Sequence, residues 1–299
     1  MNLKQLETFI WVATFKSFRK AADRLCTTQP SVSARIAALE ESLGNKLFER
    51  RSGSIALTAV GHKILPYAEK ILSMSDQLKE QVRTPETLSG VLRLGVSETI
   101  VHTWLSDFLS RVHHKFPLID IEITVDVTTS LRNELITRSL DLAFLLGPVS
   151  DFNVENTYLC AYPLVWAASP KLKLPRNGVS IKQIARKSII TYARNTRPYA
   201  EVQSYLREVM DEPARIFPSS SLYACKRMAI DGVGVAMLPV ACIVDELEKG
   251  ELEIISSSWQ PSDLVFTASH SRTPHNVLTA KIIDLATTAA TEFGQDSDK

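Results

Sequence analysis

Leu3, Leu6, Ile10 and Ala13 recur at helical spacing near the start of the chain and predict an amphipathic helix ending near Lys16. Ser17 is placed to cap a second, short helix whose apolar stripe is Phe18, Ala22 and Leu25. Cys26, Thr27 and Thr28 break that pattern, and Thr28 can cap a third helix with Pro30 in its first turn. Val32, Ile36, Leu39 and Leu43 share one face of this third helix, and Gly44 ends it. Two such helices joined by a three-residue turn predict a helix-turn-helix. Residues 46–51 and 54–57 then read as two strands, with Ser52 and Gly53 as the tight turn of a wing.

From Thr58 a long helix is expected to run to about residue 82, stopped by Thr84 and Pro85. Its apolar positions Val60, Ile64, Tyr67, Ile71, Met74 and Leu78 follow a 4, 3, 4, 3, 4 spacing, the seam of a coiled coil, and predict a homodimer. Leu88, Ser89 and Gly90 read as a hinge. Beyond it, short apolar runs alternate with helical patterns, which predicts α/β architecture. Strands are expected at 91–96, 119–126, 142–146, 189–192, 216–217, 233–238 and 264–268. Helices are expected at 100–115, 131–139, 198–210, 222–230 and 276–293. The return of the last strand and helix to the first unit makes two α/β subdomains with a cleft between them, as in periplasmic solute-binding proteins. The expected division is 1–58 for the winged helix-turn-helix, 59–90 for the linker helix and hinge, and 91–299 for the body. Within the body the subdomains are about 91–162 plus 266–293, and 163–265.

Composition, 45% apolar and 22% charged, is that of an ordinary globular protein and adds little. Charge becomes informative once divided. Residues 1–60 hold nine basic and five acidic side chains, whereas the whole chain is only +1. A basic head on a mildly acidic body suits a polyanion at the head. The four cysteines are scattered, with no C-x-x-C and no zinc-ligand spacing, so neither a metal nor a disulfide framework is expected. There is no charged-then-apolar leader and no run of ~20 apolar residues, so a cytoplasmic protein away from the membrane is expected.

The outward face of the third helix carries Pro30, Ser31, Ser33 and Ala34, with Gln29 at its exposed end. Small side chains with amide and hydroxyl groups fit a major groove and can bond base edges. The helix N-terminus at Thr28 favours a phosphate. Arg50 and Arg51 at the wing tip suit phosphates or a narrow minor groove.

These residues carry a resemblance to the LysR-type transcriptional regulators. It runs without a gap through Leu6, Phe9, Ser17, Phe18, Ala21, Ala22 and Leu25, then Thr28, Gln29, Pro30, Ser31, Val32 and Ser33. It continues through Ile36, Leu39, Glu40, Leu43, Gly44, Leu47, Phe48, Arg50, Leu57, Thr58 and Gly61. The resemblance implies a sequence-specific regulator that binds duplex DNA with Gln29, Pro30, Ser31 and Ser33 in the recognition positions. Many relatives carry a basic residue where this chain has Ala34; here the arginine is Arg35, at the flank of the face, which suits a phosphate. The resemblance also implies dimerisation through the linker helix and assembly into a homotetramer, with RNA polymerase as a candidate partner. It is weaker in the body, resting on Leu140 to Ala143 and on Gly232 to Pro239.

In open α/β sheets, ligands bind beyond the C-terminal ends of strands. That rule selects Ser97, Glu98 and Thr99, then Thr128 and Thr129, Gly147, and the stretch 192–197 with Tyr192, Arg194 and Arg197. Hydroxyls at two helix starts with an arginine opposite would take a small organic anion or an amino-acid-like effector. The same hydroxyls could simply cap their helices. Glu98 would oppose an anion and favour an amine. No nucleophile elbow, H-E-x-x-H, P-loop or complete dinucleotide fingerprint occurs, so neither an enzyme nor a cofactor is expected. Two other readings stay open: a solute-binding or enzymatic α/β domain with a helical appendage, and an architectural DNA binder that needs no ligand.

Overall fold

The computed structural model describes residues 1–51, 54–80, 88–210, 212–272 and 277–297. Helices α1 (Leu3–Phe15), α2 (Phe18–Arg24) and α3 (Gln29–Leu43) come first, followed by strands β1 (Phe48–Arg51) and β2 (Ser54–Leu57). The caps are those the side chains allow. Ser17 accepts from Lys20 N–H, Thr28 accepts from Ser31 N–H, and Gly44 takes the left-handed conformation that ends α3. Leu6, Phe9, Ile10, Val32, Ile36 and Leu39 close one core with Leu47, and Phe48 packs against Phe9 and Phe18. The expected turn at Ser52 and Gly53 lies outside the described residues.

Helix α4 (Ala59–Glu80) follows, with Thr58 Oγ1 accepting from Gly61 N–H at 3.0 Å. Its seam divides. Val60 and Ile64 pack into the head's own core, while Tyr67, Ile71, Met74 and Leu78 are exposed. The expected end of this helix near residue 82 and the stop at Thr84 and Pro85 lie outside the described residues. The hinge expected at Leu88, Ser89 and Gly90 is not one. Leu88 is buried in the body's core, and Ser89 and Gly90 already pair with Leu118 and Ile119 as the first rungs of a strand.

The body begins with β3 (Ser89–Val96), α5 (Glu98–Val101), α6 (Leu105–Lys115), β4 (Leu118–Val125), α7 (Thr128–Ile136), β5 (Leu142–Leu146) and β6 (Val154–Tyr162). The second unit holds β7 (Leu164–Ala168), α8 (Ile181–Ala185), β8 (Ile189–Tyr192), α9 (Arg197–Val209), β9 (Ile216–Ser219) and α10 (Leu222–Ile230). It ends with β10 (Val235–Pro239), α11 (Val244–Glu248) and β11 (Glu253–Ile255). The chain then returns as β12 (Leu264–Ser271) and α12 (Val277–Ser297).

Two five-stranded sheets result, ordered β4-β3-β5-β12-β6 and β11-β7-β10-β8-β9. In the first, β3 runs parallel to β4 and β5, while β12 is antiparallel to β5 and β6. In the second, β10 and β8 run parallel, as do β8 and β9, with β7 antiparallel to β10. One helix expected at 100–115 is two. Thr103 Oγ1 bonds back to Thr99 O at 3.0 Å, the helix breaks there, and Trp104 turns into the core against Phe108 and Phe144.

Candidate DNA-binding face and effector cleft

The N-terminal end of α3 lies at the surface of the head. Thr28, Gln29, Pro30, Ser33 and Ala34 are exposed, and Ser31 and Arg35 are half-buried. Val32, Ile36 and Leu39 anchor the opposite side of the helix, so this face is rigidly presented. Arg50 and Arg51 stand on β1 at register positions opposite Ile55 and Ser54.

Glu40 fixes where that wing begins. Its carboxylate accepts from the Leu47 N–H at 2.9 Å, the Phe48 N–H at 3.3 Å and Lys46 Nζ at 2.7 Å. Burial alone would raise its pKa. The Lys46 ammonium and the two amides outweigh burial and hold it below its ordinary value. In the sequence Glu40 enters only through the family resemblance; its place four residues after Ile36 and three before Leu43, on the apolar side of α3, is the signal of a structural partner.

The head also touches the body. The Arg24 guanidinium lies 4.6 Å over the Trp11 ring and forms an ion pair with Asp141, just before β5. Asp141 accepts in addition from the Arg93 N–H at 2.9 Å. Beside it, Arg138 reaches Glu69 of α4 at 3.7 Å and donates to Thr14 Oγ1 at 3.3 Å. Burial pushes Glu69 up and Arg138 down, each opposed by the other's charge.

Between the two sheets lies a cleft with a cavity volume of about 50 Å³, open to solvent. Of the nine body residues selected from the sequence, it brings together Ser97, Glu98, Thr99, Thr128 and Tyr192. The other four stand elsewhere, each for a physical reason. Thr129 accepts from Asn195 Nδ2 across the subdomains. Gly147 is a close-approach position, where a Cβ would lie 2.0 Å from Thr267 Oγ1. Arg194 stacks on Tyr199 and donates to its hydroxyl, and Arg197 bonds Glu201 and the Asp263 carbonyl. The expected arginine facing the hydroxyls is therefore absent from the described lining.

Three polar lining residues lie outside those selections, Asp126, Ser219 and Ser220, while Thr196 falls within the selected stretch 192–197. Asp126 follows the last residue of β4, where the strand-end rule applied, but it was counted into the strand itself. The described lining thus holds two carboxylates, Glu98 and Asp126, and no Lys, Arg or His. The Ser97 and Tyr192 hydroxyls are buried there without a hydrogen-bond partner. Cys225 and Cys242, close by, are pushed up to about 11 and about 12 by burial and stay as thiols, unlike a redox-poised thiolate. Among the described residues no helix is long and apolar enough to cross a membrane.

Known proteins match both halves of the chain. Residues 3–62 match the family described as bacterial regulatory helix-turn-helix protein, lysR family, and residues 85–291 match the LysR substrate binding domain. The regulator CfxR of Cupriavidus necator is 25% identical over 272 residues, covering 90% of this chain and 86% of its own. YofA of Bacillus subtilis is 28% identical over 268 residues, covering 89% and 92%. Full-length OxyR from Pseudomonas aeruginosa, in a single-site variant, superposes with a TM-score of 0.64 at 23% identity, over 97% of this chain and 94% of its own. Full-length LysG from Corynebacterium glutamicum, solved with bound effector Arg, gives 0.64 at 19% identity over 98% and 99%. The basic head, the linker helix and the two-sheet body are one architecture, and the chain belongs to the LysR family of DNA-binding transcriptional regulators, with an effector-binding domain and no enzymatic role.

Proposed function

We propose that this regulator reads duplex DNA through Gln29, Pro30, Ser31 and Ser33 of α3. Thr28, Arg35, Arg50 and Arg51 meet phosphates or the minor groove. The observation that supports this is the exposed, small-residue N-terminal face of α3 on a rigid core. The exposed apolar row Tyr67, Ile71, Met74 and Leu78 supports pairing of two chains through α4, which would set two recognition helices a fixed distance apart. The working division is a head over 1–58, a linker from 59, and a body that takes in Leu88 and everything after it.

The effector reading narrows. Two carboxylates and unpartnered hydroxyls, with no cation in the described lining, suit an amine-bearing, amino-acid-like metabolite better than a simple organic anion. A neighbour of the same fold holding arginine is in keeping with that class. Such a ligand changes DNA binding only by its differential affinity for two arrangements of the body.

The test uses a duplex selected from random sequence by the wild-type protein. Gln29→Ala is expected to weaken it by ~1–3 kcal/mol. Arg51→Ala is expected to weaken all sequences and reduce the salt slope by about one. Unchanged affinity and salt dependence in both variants would overturn the assignment of helix and wing. Thermal shift against a panel of amines and amino acids tests the cleft, with Leu146→Trp as the blocked control.

A further inference from the structure

The side chain of Glu98 crosses the cleft. It stands at the start of α5 in one subdomain, yet its carboxylate accepts from three donors at the N-terminus of α10 in the other. These are the Leu222 N–H at 2.5 Å, the Ser221 hydroxyl at 3.2 Å and the Tyr223 N–H at 3.4 Å. His102 Nε2 is the fourth polar group beside it, at 3.6 Å. Free amides and the positive end of a nine-residue helix dipole form the kind of seat that takes a ligand carboxylate. Here the chain supplies that carboxylate itself. A second observation marks the seat as part of a ligand site: next to Glu98, Ser97 is 8% exposed and its hydroxyl, on the cleft wall, has no partner.

We propose that Glu98 is a specificity-determining residue, a tethered acid that fills the α10 end of the cleft, excludes ligand carboxylates there, and leaves the effector to be selected by its amine. This rests on the reading of the cleft as the effector site. The bridges from Asn195 to Thr129 and from Cys242 to the Thr99 carbonyl span the same gap. Removing Glu98 therefore empties a seat without dismantling every link between the subdomains.

Acetate is the probe, since it is the severed end of a glutamate side chain. Full-length wild-type protein and Glu98→Ala are melted in sodium acetate and in sodium chloride of equal ionic strength. Wild type is expected to melt at the same temperature in both. Glu98→Ala is expected to melt lower in chloride and to recover by about 3 °C in saturating acetate. Recovery of both proteins, or of neither, overturns the proposal. Should Glu98→Ala fail to fold, Glu98→Gln is followed by hydrogen exchange at Leu222 and Tyr223. These amides are expected to exchange about tenfold faster than in wild type and to slow again in acetate, and exchange indifferent to acetate overturns the proposal. An amine that stabilises wild type and is blocked by Leu146→Trp reports on the cleft itself, so the two readings fail separately.

Discussion

Replacing Glu40 with alanine should loosen the wing while leaving the body intact. The substitution strips the acceptor from the Leu47 N–H, whose residue is fully buried, so no water can replace it. Leaving a buried donor unpaired costs about 1–3 kcal/mol. The longer bond from the half-buried Phe48 N–H adds up to about 1 kcal/mol, and the pair with the exposed Lys46 adds less than that. A loss of roughly 2–4 kcal/mol follows for the seating of β1 on α3. Hydrogen exchange read by mass spectrometry checks it. Peptides across 47–57 should exchange at least ~30-fold faster, at 1.4 kcal/mol per tenfold, while those from β3, β5 and β12 keep wild-type protection. Affinity for the selected duplex should fall in parallel. Glu40→Gln keeps an acceptor and should lose less. Because the folded pKa of Glu40 lies below its ordinary 4.5, its contribution is complete above that value and is lost as pH falls through the folded one. The gap between wild type and Glu40→Gln should therefore close in acid. Unaltered protection over 47–57 in Glu40→Ala would refute the reasoning.

Met74→Asp combined with Leu78→Asp places charge on the exposed row of α4 and should reduce the mass in sedimentation to that of one chain, with the melting temperature of the body unchanged. Asp141→Ala leaves the Arg24 guanidinium largely buried without its acid and should cost roughly 3–5 kcal/mol in urea unfolding, whereas Arg24→Leu with Asp141→Asn, which keeps an acceptor for the Arg93 N–H, should cost much less. Gly147→Ala drives a methyl group into Thr267 and should destabilise the body by about 1–3 kcal/mol in thermal unfolding, without altering the DNA head.

The head was almost fully legible because its signals are local. Val32, Ile36 and Leu39 mark one helix face, Ser17, Thr28 and Gly44 mark the ends, and all of them act within a few residues. Strand β8 and helix α10 of the body were read at their observed limits for the same reason. Strands β6 and β7 were missed: Val154–Tyr162 mixes Glu155, Asn156 and Thr157 with apolar residues, and Leu164–Ala168 is a five-residue run next to a proline. Both are defined by their partners β12 and β10, which lie far away in sequence. The same distance hid the cleft's charge. Strand ends pointed to the right loops, but which side chains turn inward depends on partners such as Asp263 for Arg197 and Leu222 for Glu98, and no spacing reveals them.

The junction at Thr58 and Gly61 constrains how this protein can move. Thr58 donates its N–H to the Leu47 carbonyl at 2.9 Å and its hydroxyl to the Lys46 carbonyl at 2.7 Å, and a Cβ on Gly61 would meet the Leu47 oxygen at 2.3 Å. Wing and linker helix are thus welded, with no swivel at their joint. Any torque on α4 turns the whole reading head like a key on its shaft, so in a paired molecule the span between two half-sites would be dialled by how the two shafts cross.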